Sequence, residues 1–308
     1  MSAKLKTAQC SKPVARRRLA PRSSSTHIVA TYHYIREHAS EGVTGLTPGE
    51  FREQIVAIQS RYRIVSAAQF AARRAEEPRL ALITFDDAVR DQYLAAGILA
   101  DLDVPAVFFA PMRPFSDEPD RWCSQHLLHA LADELGWREL QMRIEPHLAG
   151  VEIDTARMNQ LYHYEVPHKR RLKFAMAFAR SRGQARDILR EINASVGLQA
   201  GDWFMSVQQL RQLQDAGHCL GGHGFDHVPY TSLSPMEQAA DMHRAMQTMT
   251  RLFGPMPRPL AFPFGRADSH TLALARSCGY TMTFGTDDRV DAKFLMEELA
   301  QRDAECDR

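Results

Sequence analysis

Leu80–Asp87 reads LALITFDD, and its reading decides the fold. Leu80 to Ile83 is apolar on both faces and short, so it reads as a strand buried in a core. Asp86 and Asp87 then follow where that strand ends. Two adjacent buried carboxylates cost several kcal/mol unless a cation or hydrogen-bond donors offset them. An Asp-Asp pair on its own also suits a solvated turn. Parallel α/β folds, however, place their chemistry at strand C-termini.

Outward from this stretch the pattern alternates. HIVATYHY (His27–Tyr34) favours a strand, and VPAVFFA (Val104–Ala110) is a second buried one. Thr47-Pro48-Gly49-Glu50 and Ser66-Ala67-Ala68-Gln69 are capping boxes that open helices between them. Residues from about 111 to 201 carry only helical patterns, at Gln125–Leu135, Thr155–Tyr164, His168–Ala179 and Gln184–Val196, and read as a helical insertion on a loop after a strand. The alternation resumes with a helix capped at Ser206 and short strands at His218–Gly222, Leu260–Phe262 and Tyr280–Phe284. A further capped helix starts at Ser234. The stretch after Phe284, to Arg308, is short and polar and carries no clear element signal. Strand, helix, strand repeated in this way predicts a parallel sheet or barrel.

Composition bounds the function. The chain has 308 residues, 44% hydrophobic and 24% charged, which supplies a sizeable core. A net charge of +1 gives no electrostatic argument for nucleic acid or an anionic membrane. The five cysteines are scattered with no CxxC pair, so neither a disulfide framework nor a cysteine zinc site is expected. Residues 1–26, rich in Lys, Arg, Ser and Pro, read as a disordered basic tail, because no apolar segment follows the charges as a signal peptide requires. No run approaches the ~20 apolar residues of a membrane span. A cytoplasmic protein with reduced thiols is the expectation.

His223 and His227, in GGHGFDH after the strand His218–Gly222, form an i, i+4 pair. With 13 histidines in the chain the spacing alone is weak. The strand end strengthens it, since two imidazoles and a carboxylate make a common catalytic metal set that leaves room for water. The plain alternative is loop histidines with ordinary hydrogen bonds.

Three motifs in order, TFDD (Thr84–Asp87), HGFDH (His223–His227) and FPFG (Phe262–Gly265), resemble the leading motifs of the NodB-type polysaccharide deacetylases, carbohydrate esterase family 4. The likeness spans about Ile28 to Asp287 and includes YHYI (Tyr32–Ile35) and YTMTFGTD (Tyr280–Asp287). It implies a distorted (β/α) barrel with a mostly helical insertion, and hydrolysis of an acetyl group on an N-acetylated amino sugar or oligosaccharide. Residue by residue, it implies Asp86 as general base. Asp87, His223 and His227 would be ligands of a divalent metal, usually zinc, with cobalt, nickel or manganese as substitutes. The backbone N–H of Phe264 would be an oxyanion donor. Pro263, Phe264, Phe225 and His33 are expected to line the substrate, and Trp122 and Trp203 are further candidates to stack on a sugar ring.

The chain departs from the family pattern at several places. Ala88 stands where Gly is usual, and is tolerable there at negative φ. Ala261 stands where an Arg usually orients the base, leaving Arg266, Arg289 or Arg302 as substitutes. Phe264 replaces Tyr, and the late Leu-x-His motif is absent, so no general acid is assigned. His126, His129 and His163 are expected to be solvated or to pack helices. Two other readings stay open: a glycan-binding relative without turnover, and a hydrolase of a small non-sugar amide.

Overall fold

The computed structural model describes residues 27–38, 40 and 42–306; the expected basic tail lies outside them. Its strands are β1 (Ile28–Tyr32), β2 (Arg63–Ile64), β3 (Leu80–Phe85), β4 (Ala106–Ala110), β5 (Cys219–Gly222), β6 (Arg258–Ala261), β7 (Tyr280–Phe284) and β8 (Val290–Asp291). All pair in parallel, in the order β7-β6-β5-β4-β3-β1-β8. β2 sits beside the first half of β3 and β4 beside the second. The sheet curls into a distorted (β/α) barrel, and among the described residues no ladder joins β7 to β8. Because every pairing is parallel, all strand C-termini meet at one end.

β1, β3 and β4 are buried along their whole length, which accounts for their continuous apolar runs. Under the strand ends lies an aromatic stack. Phe85 and Phe108 are parallel with centroids 4.6 Å apart, and Tyr32 lies edge-on to Phe51 at 4.9 Å. The capping boxes at Thr47, Ser66, Ser206 and Ser234 all form, each with reciprocal side-chain and backbone bonds.

Between β4 and β5 the described chain is helical, as expected. It includes Ser124–Leu135, Trp137–Ile144, Thr155–Leu161, Pro167–Phe174, a π-turn at Ala175–Ala179, Arg182–Val196 and Ala200–Trp203. Trp137–Ile144 is one helix that the sequence reading does not separate. The unassigned C-terminal stretch becomes β8 and the helix Ala292–Cys306, and β8 pairs with β1, so the last strand adjoins the first.

Gly221 and Gly222 let β5 nest between its neighbours. A Cβ on Gly221 would collide with the Phe109 ring and come 2.9 Å from the Pro259 carbonyl oxygen; one on Gly222 would come 2.7 Å from the Tyr280 ring. Backbone on one side and a packed ring on the other leave nothing to yield. Gly221→Ala is therefore expected to cost about 1–3 kcal/mol by overpacking, read as a lower urea midpoint with an unchanged slope.

Candidate metal centre and active site

Both carboxylates of the Asp pair are buried at the end of β3, with Asp86 3% and Asp87 7% exposed. The turn that carries them is held from below. Asp86 N–H donates to the Tyr32 carbonyl at 2.9 Å. The buried Gln92 amide donates to the Asp86 carbonyl and to the His33 carbonyl, tying the ends of β1 and β3 together.

Arg289 Nη1 donates to Asp86 Oδ1 at 2.7 Å, both side chains being more than nine-tenths buried. Of the three arginines left open by Ala261, this is the one that reaches Asp86. It lies in the segment between β7 and β8, directly before β8. Burial raises the Asp86 pKa, but Arg289, then His223 and His33, outweigh it and hold the carboxyl below the usual carboxylate range. The remaining oxygen, Oδ2, lies 3.8 Å from His223 Nε2 and 4.0 Å from His33 Nε2.

The HGFDH loop is set by a buried acid on the following helix. Asp241 accepts from Phe225 N (2.8 Å), Asp226 N (3.0 Å) and Tyr230 Oη (2.8 Å). On the other side, Met112 N and Arg113 N donate to the Gly224 and Phe225 carbonyls. His223 Nδ1 donates to the Ala261 carbonyl at 2.7 Å, which fixes the tautomer and leaves Nε2 as a lone-pair donor. Burial pushes the His223 pKa down to about 4, so the ring is neutral near pH 7.

Asp87 Oδ1 is buried with no aligned hydrogen bond. Around it stand His227 Nε2 at 3.1 Å, His223 Nε2 at 3.5 Å and His126 Nε2 at 3.0 Å. Burial lowers the His126 pKa as well. A buried carboxylate beside two imidazoles held neutral by burial, with no guanidinium or ammonium group within reach among the described residues, meets the electrostatic requirement of a cation site. Donor atoms of Asp87, His223 and His227 lie within 4.8 Å of one another and could hold a divalent metal. The residues present thus fit such an ion.

Four non-glycine residues adopt positive φ here: Asp87 (86°), Ala88 (53°), His227 (52°) and Phe264 (58°). Such backbone costs of order 1–3 kcal/mol each and clusters at functional sites. Ala88 thus occupies the left-handed region where Gly is at ease, not the negative φ at which its Cβ is free of strain. Its carbonyl accepts from Met205 N at 3.0 Å, which braces the turn against the end of the helical segment.

The expected substrate-lining residues divide. His33 has a side chain 40% exposed beside Asp86, and Phe264 is half-buried with its ring 5.3 Å from that of His227. Phe225 does not line an opening. It is 1% exposed, with the Arg244 guanidinium 3.9 Å and that of Arg113 5.3 Å from its ring centre. Pro263 is also buried, beneath Gly224. Trp122 is buried, and Trp203 packs edge-on against Tyr34 at 6.0 Å. His126 departs most from expectation, since it reaches Asp87 rather than only packing a helix. His129 does pack: it sits half-buried between Tyr34 Oη (2.9 Å) and the Gln125 amide (3.1 Å), and His163 is exposed.

Arg289→Met would leave Asp86 buried and unpaired. Its expected cost is about 3–5 kcal/mol at pH 7, shrinking as pH falls because a neutral Asp86 needs no partner; denaturation at pH 7 and pH 5 checks both. His129 gives an independent pH effect. Burial first, then Lys173, holds its pKa well below the ordinary value, so the unfolded chain binds a proton that the native state does not. Stability is therefore lost as pH falls through and below ~6.5, with a slope of at most about 1.4 kcal/mol per pH unit. His129→Gln should flatten the curve by that share.

The model of the family "Polysaccharide deacetylase" matches residues 173–283, which contain His223, His227 and Phe264. A Bacillus subtilis protein, "Putative polysaccharide deacetylase YxkH", is 24% identical over 83 residues, 27% of this chain and 30% of that protein. Among solved structures, the putative polysaccharide deacetylase BA0330 from Bacillus anthracis is similar with TM-score 0.54 and 12% identity, over 89% of this chain and 68% of that one. IcaB from Ammonifex degensii is similar with TM-score 0.52 and 15% identity, over 90% of this chain and 97% of that one. Over residues 173–283 the chain is similar to the polysaccharide deacetylase family, and its fold is similar to that of solved polysaccharide deacetylases.

Proposed function

We propose that the chain is a metal-dependent deacetylase that removes the acetyl group from an N-acetylated amino sugar in a polysaccharide or its precursor. One observation carries the reading: at a single strand end, a carboxylate fixed by Arg289 stands beside a carboxylate set among imidazole donors. The name of the Bacillus subtilis relative supports the substrate class.

Asp87, His223 and His227 would hold the cation. Zinc suits two imidazoles and one carboxylate, and cobalt, nickel or manganese share enough of that preference to replace it. When bound, the ion polarises the acetyl carbonyl and makes water acidic enough to lose a proton near neutral pH.

The chain's own residues do the rest. Arg289 keeps Asp86 ionised and occupies Oδ1, leaving Oδ2 to take the proton of the attacking water. The Phe264 N–H, in the tight left-handed turn after β6, donates to the oxygen of the tetrahedral intermediate, a contribution worth about 3–4 kcal/mol where such donors have been removed. The C–N bond breaks as the amine nitrogen gains a proton. His33, partly open to solvent and 4.0 Å from Asp86, supplies it. Acetate and a free amino sugar leave. Arg289 also supports turnover over the reading as a glycan-binding relative without catalysis, because it replaces the support missing at Ala261.

No described helix is long and apolar enough to cross a membrane.

Acetate release from a panel of N-acetylated sugars and oligosaccharides, with metal measured on the same sample, is the direct test. Asp86→Asn is expected to lower turnover by about 10²–10⁴-fold with metal retained, and His223→Ala to lose metal and turnover together. Equal metal loss in both variants would sink the division of roles. Turnover of small amides but of no acetylated sugar would sink the substrate class.

A further inference from the structure

The helix Ser124–Leu135 presents His126, His129 and Asp133 towards the barrel. Asp133 receives Arg36 through two parallel bonds, from Nη1 at 2.8 Å and Nη2 at 2.6 Å. Tyr34 Oη meets His129 Nδ1. These contacts seat the helix on the segment that follows β1, and that seat carries His126 to the centre.

His126 is 1% exposed, and neither ring nitrogen has an aligned hydrogen bond to any described residue. An imidazole buried in this state is costly, since an unsatisfied polar group loses about 1–3 kcal/mol. Its Nε2 lies 3.0 Å from Asp87 Oδ1, nearer than that of His223 or His227. Yet His126 falls outside the group of donors that approach one another within 4.8 Å. Its contact is with the carboxylate rather than with the three-donor group.

We propose that His126 is a positioning residue: its Nε2–H holds the Asp87 carboxylate in the orientation that a divalent cation requires. This rests on the reading of Asp87, His223 and His227 as the metal centre. Carboxylates that ligate metals are themselves hydrogen-bonded, and losing such a partner typically costs 10–100-fold in metal affinity. The helical segment would then tune the metal as well as wall the site.

The test is zinc affinity of the full-length apoprotein, measured by competition with a chromophoric chelator, together with X-ray absorption at the bound zinc. His126→Ala should weaken zinc by about 10–100-fold, and His126→Gln, which keeps an N–H near the Nε2 position, should recover most of the loss. Should His126→Ala not fold, His126→Phe keeps the ring volume without the donor and takes its place. The absorption spectrum should count the same two imidazoles in the wild type and in the variants. Unchanged zinc affinity in the variant without a donor overturns the role, and so does a wild-type count of three imidazoles that falls to two. No zinc binding by the wild type would overturn the metal centre itself, and this role with it.

Discussion

Two carboxylates buried side by side at the end of β3 set the terms for everything around them. Each must stay charged to be useful, and neither can stay charged alone in a low-dielectric interior. The chain solves the two problems differently. Asp86 is given a cation of the chain's own, the Arg289 guanidinium. Asp87 is set among imidazoles, of which burial keeps His126 and His223 neutral, and no guanidinium or ammonium group reaches it among the described residues. The fixed pair suits the base proposed above, and the unbalanced one suits the proposed ion site.

The backbone of the site is under strain and is braced accordingly. Asp87 and Ala88 turn through positive φ, with the Gln92 amide on one side and Met205 N on the other. The loop ending at His227 is bent over Asp241, which gathers two backbone N–H groups and the Tyr230 hydroxyl. At Phe264 the turn is closed by Gly265 N donating to the Phe262 carbonyl at 2.7 Å. These side chains approach one another because the packing beneath them over-determines three tight turns.

Where chemistry was written in contiguous residues, the sequence was legible. LALITFDD and GGHGFDH each join an apolar strand to its polar end, and the structure places both where expected. The barrel followed from alternating periodicities and from capping boxes that do form. What could not be read was the partner at a distance. The sequence narrows that partner to Arg266, Arg289 or Arg302, but nothing local singles out Arg289, which lies 203 residues from Asp86 and is brought near it by the pairing of β8 with β1, the neighbour of β3. His126 lies on a helix whose apolar stripe explains itself without a metal; the spacing of His126, His129 and Asp133 on one face was the available signal. Phe225 looked like a sugar platform, but two arginines from other segments close over its ring. The final helix escaped notice because its apolar contacts are sparse along the sequence.

The pairing of the first strand with the last has a consequence for how the chain is made. β1 finds its second neighbour only in β8, and Arg289 directly precedes β8. On the ribosome, Asp86 therefore emerges long before the charge that neutralises it. Contacts of such sequence separation form late, because loop closure must be met before they contribute. Until Arg289 and β8 have emerged, one edge of β1 stays bare and the end of β3 cannot be sealed with its charge in balance. The barrel is thus closed only after Arg289 and β8 have emerged, and a nascent chain held short of Arg289 would present an open parallel edge to its surroundings.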